Sequence, residues 1–224
     1  MSEIRLGRRA FLSVVGLGAV GLLAGGRLSG AAAPLGRLVP DGVGNLVSAG
    51  GWRIYAISPP WPSFDPASWR LEVTGEVEQP VKLTYDQLLA LPSQRQTSDF
   101  HCVTGWTVNQ VRWRGVRPQT LIELVQPAAD IRQVTFKSLE GPYVDGLKPA
   151  QLVLPDTLIA THMDGVPLTR AHGAPVRLVI PAMYGYKSVK WVSEIRFDQT
   201  ESAGYWEQRG YDIDAWVGRS NGLG

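Results

Sequence analysis

The single cysteine of the chain, Cys102, is the residue with the most distinctive chemistry. It lies in the segment 101–106, directly after a stretch of strand-like composition and just before a glycine. A thiolate is a soft ligand that suits a transition metal, and a side chain at the end of a rigid strand can project into a loop-lined site. A lone cysteine is more often a small buried hydrophobic residue. The residue type therefore leaves a metal ligand and a core residue both open.

A second candidate is Arg177, which interrupts the nearly continuous apolar stretch 175–181 a few residues after His172. A guanidinium group inside a buried strand is costly unless it meets an anion. Phosphate fits the planar, bidentate geometry of arginine. A structural ion pair with an aspartate or glutamate is the alternative.

A third candidate is the loop 185–191, which contains a glycine, a serine and two lysines. Such a loop can present backbone N–H groups and positive charge to a phosphate or a polar ring, although solvated surface lysines are the alternative. The spacing matches neither a Walker loop nor a dinucleotide-binding fingerprint. A thiol, a buried cation and a basic loop together predict an anionic cofactor that carries a metal.

The histidines at positions 101, 162 and 172 form no His-x-x-x-His pair. This spacing disfavours a zinc hydrolase. A cysteine hydrolase that uses Cys102 with His162 or His172 is a further alternative, but the sequence identifies no Asn or Asp to orient the histidine.

These candidates need a scaffold, and the hydrophobic pattern predicts a mixed, strand-rich α+β domain with short helices. Thr84 and Gln87 have capping-box spacing, which predicts a helix that ends before Pro92. A second helix begins at Pro118. The predicted strands cover 69–75, 96–103, 134–136, 158–163, 175–181 and 195–197.

The composition agrees with one globular domain. The chain has 224 residues, of which 44% are hydrophobic and 19% charged, with a net charge of +2. These values exclude a disordered chain and disfavour nucleic acid as a partner, because no long Lys/Arg run is present. One cysteine excludes an intramolecular disulfide. The 25 glycines and 16 prolines indicate a loop-rich fold.

Residues 1–33 are predicted to be an export signal, followed by a linker or irregular arm over 34–50. Arg8 and Arg9 precede an uncharged stretch that ends in small residues. The arginine pair, followed by Phe11 and Leu12, is typical of the twin-arginine route, with an ordinary secretory signal as the alternative. The twin-arginine route exports folded proteins, many of which receive a cofactor in the cytoplasm.

From about Trp52 to Trp216 the chain resembles the molybdopterin-binding domain of the sulfite oxidase family. Within that family it is similar to the exported bacterial branch that contains the catalytic subunit of periplasmic protein-methionine-sulfoxide reductase. The resemblance rests on the segments 101–106, 172–181, 185–191 and 204–211. It implies a molybdopterin-binding oxidoreductase domain over 51–224 with the sulfite-oxidase-type fold.

The resemblance also implies roles for individual residues. Cys102 would be the protein thiolate on molybdenum, beside the two dithiolene sulfurs of one molybdopterin that carries no nucleotide. The residues expected to contact the pterin or its phosphate are Tyr55, Ser138, His172, Arg177, Ser188, Val189 and Lys190. At position 56 the chain has Ala where the reductase branch has Glu, and Thr104-Gly105 replaces its Glu-Ala.

The resemblance implies an oxygen-atom transfer reaction in the periplasm. The expected reaction is the reduction of a small-molecule or protein-bound S-oxide, such as methionine sulfoxide. The resemblance implies a membrane haem b-type or cytochrome partner as the source of electrons, and the sequence itself contains no haem-attachment motif. Eight residues follow Trp216, which is too few for the C-terminal dimerisation domain of the family's larger members. We therefore expect a monomeric catalytic subunit.

Two other functions remain open. Sulfite oxidation with a cytochrome acceptor is disfavoured, because sulfite-oxidising relatives place an arginine five residues after the ligand cysteine, where this chain has Thr107. A secreted binding module without a cofactor is the second alternative.

Overall fold

The computed structural model describes residues 51–219. The predicted export signal and the arm over 34–50 lie outside the described residues. The α-helices are α1 (Tyr85–Ala90), α2 (Pro118–Val125) and α3 (Pro149–Leu152). The strands are β1 (Arg70–Gly75), β2 (Val81–Thr84), β3 (Ser93–His101), β4 (Thr107–Val116), β5 (Gln133–Ser138), β6 (Val144–Leu147), β7 (Leu158–Met163), β8 (Val166–Pro167), β9 (Arg177–Val179) and β10 (Val192–Asp198). Three short 3-10 turns cover Arg170–His172, Gly185–Lys187 and Glu207–Arg209.

The first sheet has the strand order β2-β1-β10-β5-β6. Strands β1 and β10 are parallel, and the other neighbours are antiparallel. The alternation predicted for β1 is confirmed, since Leu71 and Val73 are fully buried while their neighbours are not. Phe136 of β5 and Ile195 of β10 belong to the same hydrophobic core.

The second sheet has the order β3-β4-β7, and β7 also pairs with both β8 and β9. It covers a second hydrophobic cluster that includes Trp52, Val111, Trp113 and Leu158. A hairpin joins β7 to β8, with Asp164 and Gly165 in the turn at positive φ.

Both predicted helices are confirmed. The N–H of Gln87 donates to Thr84 Oγ1 over 3.1 Å, and the N–H of Thr84 donates to Gln87 Oε1 over 2.8 Å, which completes the capping box of α1. Helix α2 starts at Pro118 and buries Leu121 and Val125. None of the helices in residues 51–219 has the length and apolar character needed to span a bilayer.

The structure departs from the sequence prediction in strand length and number. Strand β3 covers Ser93–His101 instead of 96–103, because the chain turns at Cys102. The apolar stretch 175–181 forms only the three-residue strand Arg177–Val179. Four strands were not predicted, namely β2, β4, β6 and β8.

Candidate cofactor site

Cys102 begins the five-residue loop that joins β3 to β4. His101 and Thr107 form the last paired positions of the two strands. The N–H of Cys102 donates to the carbonyl oxygen of Trp106 over 2.9 Å, and the N–H of Gly105 donates to the carbonyl oxygen of Cys102 over 3.0 Å. Gly105 has φ 91°, a conformation that glycine adopts without strain. The loop therefore holds the thiol at a defined position at the end of two strands.

The Cys102 thiol is partly enclosed. Its Sγ lies 3.2 Å from Thr104 Oγ1. Burial raises the pKa of Cys102, while the Thr104 hydroxyl and the positive charge of Arg53 lower it to a smaller extent. A metal ion that binds the sulfur must therefore displace a proton, since thiolate is the ligand form.

Arg177 of β9 is a buried cation, with 2% of the residue exposed. Its guanidinium donates to the carbonyl oxygens of His172 and Ser188 over 3.3 Å each, which is long for a hydrogen bond. No carboxylate of residues 51–219 forms an ion pair with it. Burial lowers the pKa of Arg177 to about 10, so the group stays charged at neutral pH.

Aromatic rings enclose the Arg177 guanidinium. Its central carbon lies 5.2 Å from the centre of the Phe100 ring and 5.3 Å from that of Trp113. Ring faces attract a cation but do not neutralise it. Of the two interpretations of Arg177, the structural ion pair is not found in the described part of the chain. The unneutralised charge fits an anionic ligand.

His172 ends the 3-10 turn that precedes β9 and lies beside Arg177. Of His172, 8% is exposed. Its Nδ1 atom is buried and has no hydrogen-bond partner among residues 51–219. Burial, followed by the charges of Arg177 and Lys190, lowers the pKa of His172 to about 4. The imidazole is therefore neutral at physiological pH and has a free position for a ligand atom.

The loop that contains Ser188, Val189 and Lys190 lies against β9. The Ser188 hydroxyl accepts from the N–H of Ile180 over 3.2 Å. The N–H of Val189 donates to the carbonyl oxygen of Lys187 over 3.1 Å. Both groups are thus engaged within the protein, so backbone contacts from this loop to a cofactor would require an exchange of partners.

Lys190 connects this loop to the chain ahead of β1. Its Nζ donates to the carbonyl oxygen of Tyr55 over 2.5 Å and lies 4.1 Å from the centre of the Trp191 ring. Burial, together with the charge of Arg177, lowers the pKa of Lys190 to about 7 against the opposing effect of Glu140. An anion bound beside Lys190 would favour its charged form.

Ser138 and Tyr55 are linked through Glu140. The Glu140 carboxylate accepts from the N–H groups of Ile57 and Ser58, the latter over 3.0 Å. The N–H of Glu140 donates to Ser138 Oγ over 3.0 Å. Ser138, at the end of β5, therefore supports the residue that fixes the segment containing Tyr55.

Trp52 joins the thiol loop to the cationic residues. Its ring centre lies 4.9 Å from that of Phe100, 6.2 Å from that of Trp106 and 5.0 Å from that of His172. The structure therefore places Cys102, His172 and Arg177 around one aromatic cluster. Sequence reasoning assigned no role to Trp52 or Phe100, although the high tryptophan content was a signal for such a cluster.

Tyr211 is a further residue that sequence reasoning did not select individually. Its pKa is raised by burial first and then by the charges of Cys102 and Tyr55, which indicates that its side chain lies near both. Its position after the third 3-10 turn, Glu207–Arg209, brings the C-terminal part of the described chain to the site.

Several candidates lie elsewhere. His101 Nδ1 bonds to Thr107 Oγ1 over 3.0 Å. Arg112 pairs with Asp164, and Arg114 contacts the ring of His162. These contacts give no support to a hydrolase that uses His162. Residues 51–219 contain no group of three His, Cys, Asp or Glu side chains that could hold a metal ion by themselves.

Comparison with known proteins identifies the family. The sequence-family model of the oxidoreductase molybdopterin-binding domain matches residues 58–206 of this chain. That range contains every predicted site residue except Tyr55. The uncharacterized oxidoreductase YuiH of Bacillus subtilis is 34% identical over 154 residues, which cover 68% of this chain and 77% of YuiH. The protein-methionine-sulfoxide reductase catalytic subunit MsrP of Campylobacter jejuni is 31% identical over 161 residues.

The match to MsrP covers 65% of this chain and 54% of the Campylobacter protein, so this chain spans about half the length of that relative. Among solved structures, the sulfane dehydrogenase SoxCD of Paracoccus pantotrophus superposes with a TM-score of 0.57 at 19% identity. That superposition covers 62% of this chain and 40% of the SoxCD chain and confirms the sulfite-oxidase-type fold. The chain belongs to the oxidoreductase family that has the molybdopterin-binding domain, as its sequence predicted.

Proposed function

We propose that this chain is an exported molybdenum–molybdopterin oxidoreductase that reduces an S-oxide of the methionine sulfoxide type. The observation that carries the proposal is the buried, unneutralised Arg177 beside an unpartnered His172, on the same aromatic cluster as the only thiol of the chain. MsrP, which is similar over most of this domain, supports the choice of substrate class.

The residues fit the proposed cofactor. Molybdopterin carries a phosphate, and the Arg177 guanidinium meets no carboxylate in residues 51–219, so a phosphate would supply the missing negative charge. The buried Nδ1 of His172 can bond to the polar pterin ring. The Cys102 sulfur would supply a protein ligand for the metal. Molybdopterin, when bound, supplies the two-electron oxygen-atom transfer.

The protein residues would bind and orient the cofactor. Arg177 and Lys190 would hold the phosphate, while Ser138, Ser188 and Val189 would shape the pterin site. Tyr55 would close the site from the segment that Glu140 fixes. Trp52 and Phe100 would exclude water from the region between the thiol and the cations.

Export and electron supply belong to the same proposal. The adjacent Arg8 and Arg9 support the twin-arginine route to the periplasm. The sequence contains no haem-attachment motif, so we propose a membrane haem or cytochrome partner as the electron donor. We also propose that this catalytic subunit is a monomer, which size-exclusion chromatography would contradict by showing a stable dimer.

The decisive experiment is metal and pterin analysis of the full chain produced in a host that makes molybdopterin. We expect one molybdenum and one pterin per chain. Reduced viologen should then be oxidised on addition of methionine sulfoxide, with other S-oxides and N-oxides as comparison substrates. Correctly processed protein without molybdenum would refute the proposal and favour a binding module.

Sulfite oxidation is a second candidate because of Arg53. The electrostatic effect of Arg53 on Cys102 places a positive charge near the thiol, and a cation there suits a dianionic substrate. Sulfite-dependent reduction of a cytochrome should therefore be measured beside the S-oxide assays. The variant Arg53→Met should impair sulfite turnover far more than turnover of the neutral S-oxide. Activity with sulfite alone would establish the second candidate in place of the first.

A further inference from the structure

Lys187 is a buried cation that the proposed cofactor site does not use. Its side chain is 1% exposed, and its Nζ lies 2.6 Å from Asp145 Oδ1 and 2.7 Å from Glu207 Oε1. The two carboxyl groups are themselves 3% and 2% exposed. Lysine is almost never fully buried unless it is paired. The three side chains therefore form a closed ionic cluster, here called the Lys187 cluster.

The Lys187 cluster is an expensive arrangement. Asp145 Oδ2 and Glu207 Oε2 are buried and meet no hydrogen-bond donor in the described part of the chain. Burial, together with the neighbouring Glu207 carboxyl, raises the pKa of Asp145 to about 8 despite the ammonium group of Lys187. Apolar side chains of similar volume often replace such a cluster without loss of stability. Stability alone therefore does not explain the cluster. Its relevant effect is that it fixes the positions of the chain segments that carry the three side chains.

The cluster joins three segments that are distant in the sequence. Asp145 lies on β6, Lys187 ends the turn Gly185–Lys187, and Glu207 begins the turn Glu207–Arg209. Gly204 packs closely against both acids, because a Cβ atom at Gly204 would lie 2.5 Å from Glu207 Oε2 and 2.8 Å from Asp145 Oδ1. There is thus no room for a side chain at position 204 beside the two acids.

The segments that carry Lys187 and Glu207 continue into the proposed cofactor site. The residue after Lys187 is Ser188, whose carbonyl oxygen accepts from Arg177. Beyond Glu207 the chain reaches Tyr211, whose ring centre lies 5.4 Å from that of Tyr186 and whose pKa is raised in part by the charge of Cys102. A second connection supports the same arrangement, since the Tyr186 hydroxyl donates to the carbonyl oxygen of Asp212 over 2.7 Å.

We propose that Lys187 is a positioning residue, which holds the loop Ser188–Lys190 and the segment 205–212 together through Asp145 and Glu207 so that both face one site. The ligand of that site rests on the proposed function, but the arrangement of the two segments does not. Loss of the ammonium group leaves two buried carboxyl groups without their counter-charge, and the two segments separate to hydrate them.

Hydrogen exchange of the full chain tests the arrangement without any activity. In Lys187→Met, backbone amides of 185–190 and 205–212 should exchange at least tenfold faster than in the wild type, while those of β4 and β7, which pair with each other, should not change. Lys187→Arg should restore most of the protection. The control is Lys148→Met, which removes a 3.0 Å ion pair with Asp214. The Lys148 side chain is 46% exposed, so this pair lies at the surface. Unchanged exchange in Lys187→Met, or uniform acceleration through both sheets, would overturn the proposal.

A double-mutant cycle tests whether Lys187 acts through Tyr211. With kcat/KM expressed per molybdenum, Lys187→Met should lower S-oxide reduction about tenfold in the wild-type background and by a clearly smaller factor in Tyr211→Phe, where only its effect through the loop Ser188–Lys190 remains. Independent, multiplying effects would contradict the proposal. If Lys187→Met does not accumulate as folded protein, Glu207→Gln serves in the same cycle. If the wild type lacks molybdenum, the proposed function fails, while the exchange experiment still decides the role of Lys187.

Discussion

The Nη1 atom of Arg177 donates a 3.3 Å hydrogen bond to the carbonyl oxygen of His172, and both side chains form one wall of the proposed cofactor site. Arg177 has no carboxylate partner in residues 51–219, and the Nδ1 atom of His172 has no partner there either. The wall therefore has one unneutralised positive charge and one neutral ring with a free polar atom. Four predictions follow from this wall and from the strands that carry it.

The variant Arg177→Met should lose the cofactor. Molybdenum and pterin per chain should fall at least tenfold, because the counter-charge for the phosphate is absent. The thermal midpoint of the cofactor-free chain should stay unchanged or rise, since an unneutralised buried cation is removed. Metal analysis and thermal denaturation measure the two effects. Arg170→Met is the matched control, since Arg170 bonds to the carbonyl oxygen of Pro62 at the surface. Full molybdenum content in Arg177→Met would refute its phosphate role.

The variant Cys102→Ser should keep the pterin site but lose the metal ligand. Because changes at residues behind a metal ligand already cost about 10- to 100-fold, loss of the ligand itself should lower turnover more than ~100-fold. Viologen-coupled assays normalised to pterin measure the effect. Thr104→Val, which removes only the 3.2 Å contact to the sulfur, should lower turnover by less than ~10-fold. A fully active Cys102→Ser would exclude the metal-ligand role.

Acid should destabilise the cofactor-free chain partly through His172. Its pKa in the folded chain is about 4, below the ordinary value of 6.5. As pH falls from about 6.5 to 4, the unfolded chain takes up a proton that the folded chain does not. The free energy of unfolding therefore falls by up to ~1.4 kcal/mol per pH unit from this group. Urea titrations at several pH values should show a shallower decline for His172→Gln. An equal slope in the wild type and in His172→Gln would contradict the prediction.

Glycine at position 115 is required by the approach of β4 to β7. A Cβ atom there would lie 2.1 Å from the carbonyl oxygen of Ile159 and 2.6 Å from the Cα of Ala160. Gly115→Ala should therefore lower the free energy of unfolding by about 3 kcal/mol or more, because backbone atoms must move apart. Gly165→Ala is the comparison, since its Cβ meets nothing within 4 Å and only its φ of +88° is strained, which costs about 1 kcal/mol. Equal losses of unfolding free energy in Gly115→Ala and Gly165→Ala, measured by urea denaturation, would contradict the prediction. They would show that the backbone of β7 moves away from position 115 at little cost.

Local signals predicted the elements that short-range chemistry determines. The capping box at Thr84 and Gln87 and the alternation in β1 are properties of neighbouring residues, and both are confirmed. Strand β6 was missed because it is short and contains Asp145 and Gly146, which are both rare in strands. Strand β4 was missed although Val111 and Trp113 alternate with polar residues.

Contacts between distant residues could not be predicted from patterns. Glu140 accepts hydrogen bonds from a segment 83 residues earlier in the chain. Lys187 meets Asp145 across 42 residues. Nothing in the local sequence of Lys187 distinguishes it from Lys190, because burial of a lysine depends on which carboxylates the fold brings to it. The sequence left two alternatives for Arg177, a structural ion pair with a carboxylate or contact with an anionic ligand. Only the positions of the surrounding side chains in the fold distinguish between them.

The position of Cys102 in a hairpin loop and of Arg177 on β9 has a consequence for retention of the bound group. A ligand held at both places bridges segments that separate when the chain unfolds, so its binding energy is added to the free energy of unfolding. At a ligand concentration 1,000 times the dissociation constant, this linkage contributes about 4 kcal/mol. Departure of such a ligand would require its contacts at both places to break. On the proposed function, a chain loaded with molybdopterin before export would keep the group in a compartment where it is not replenished.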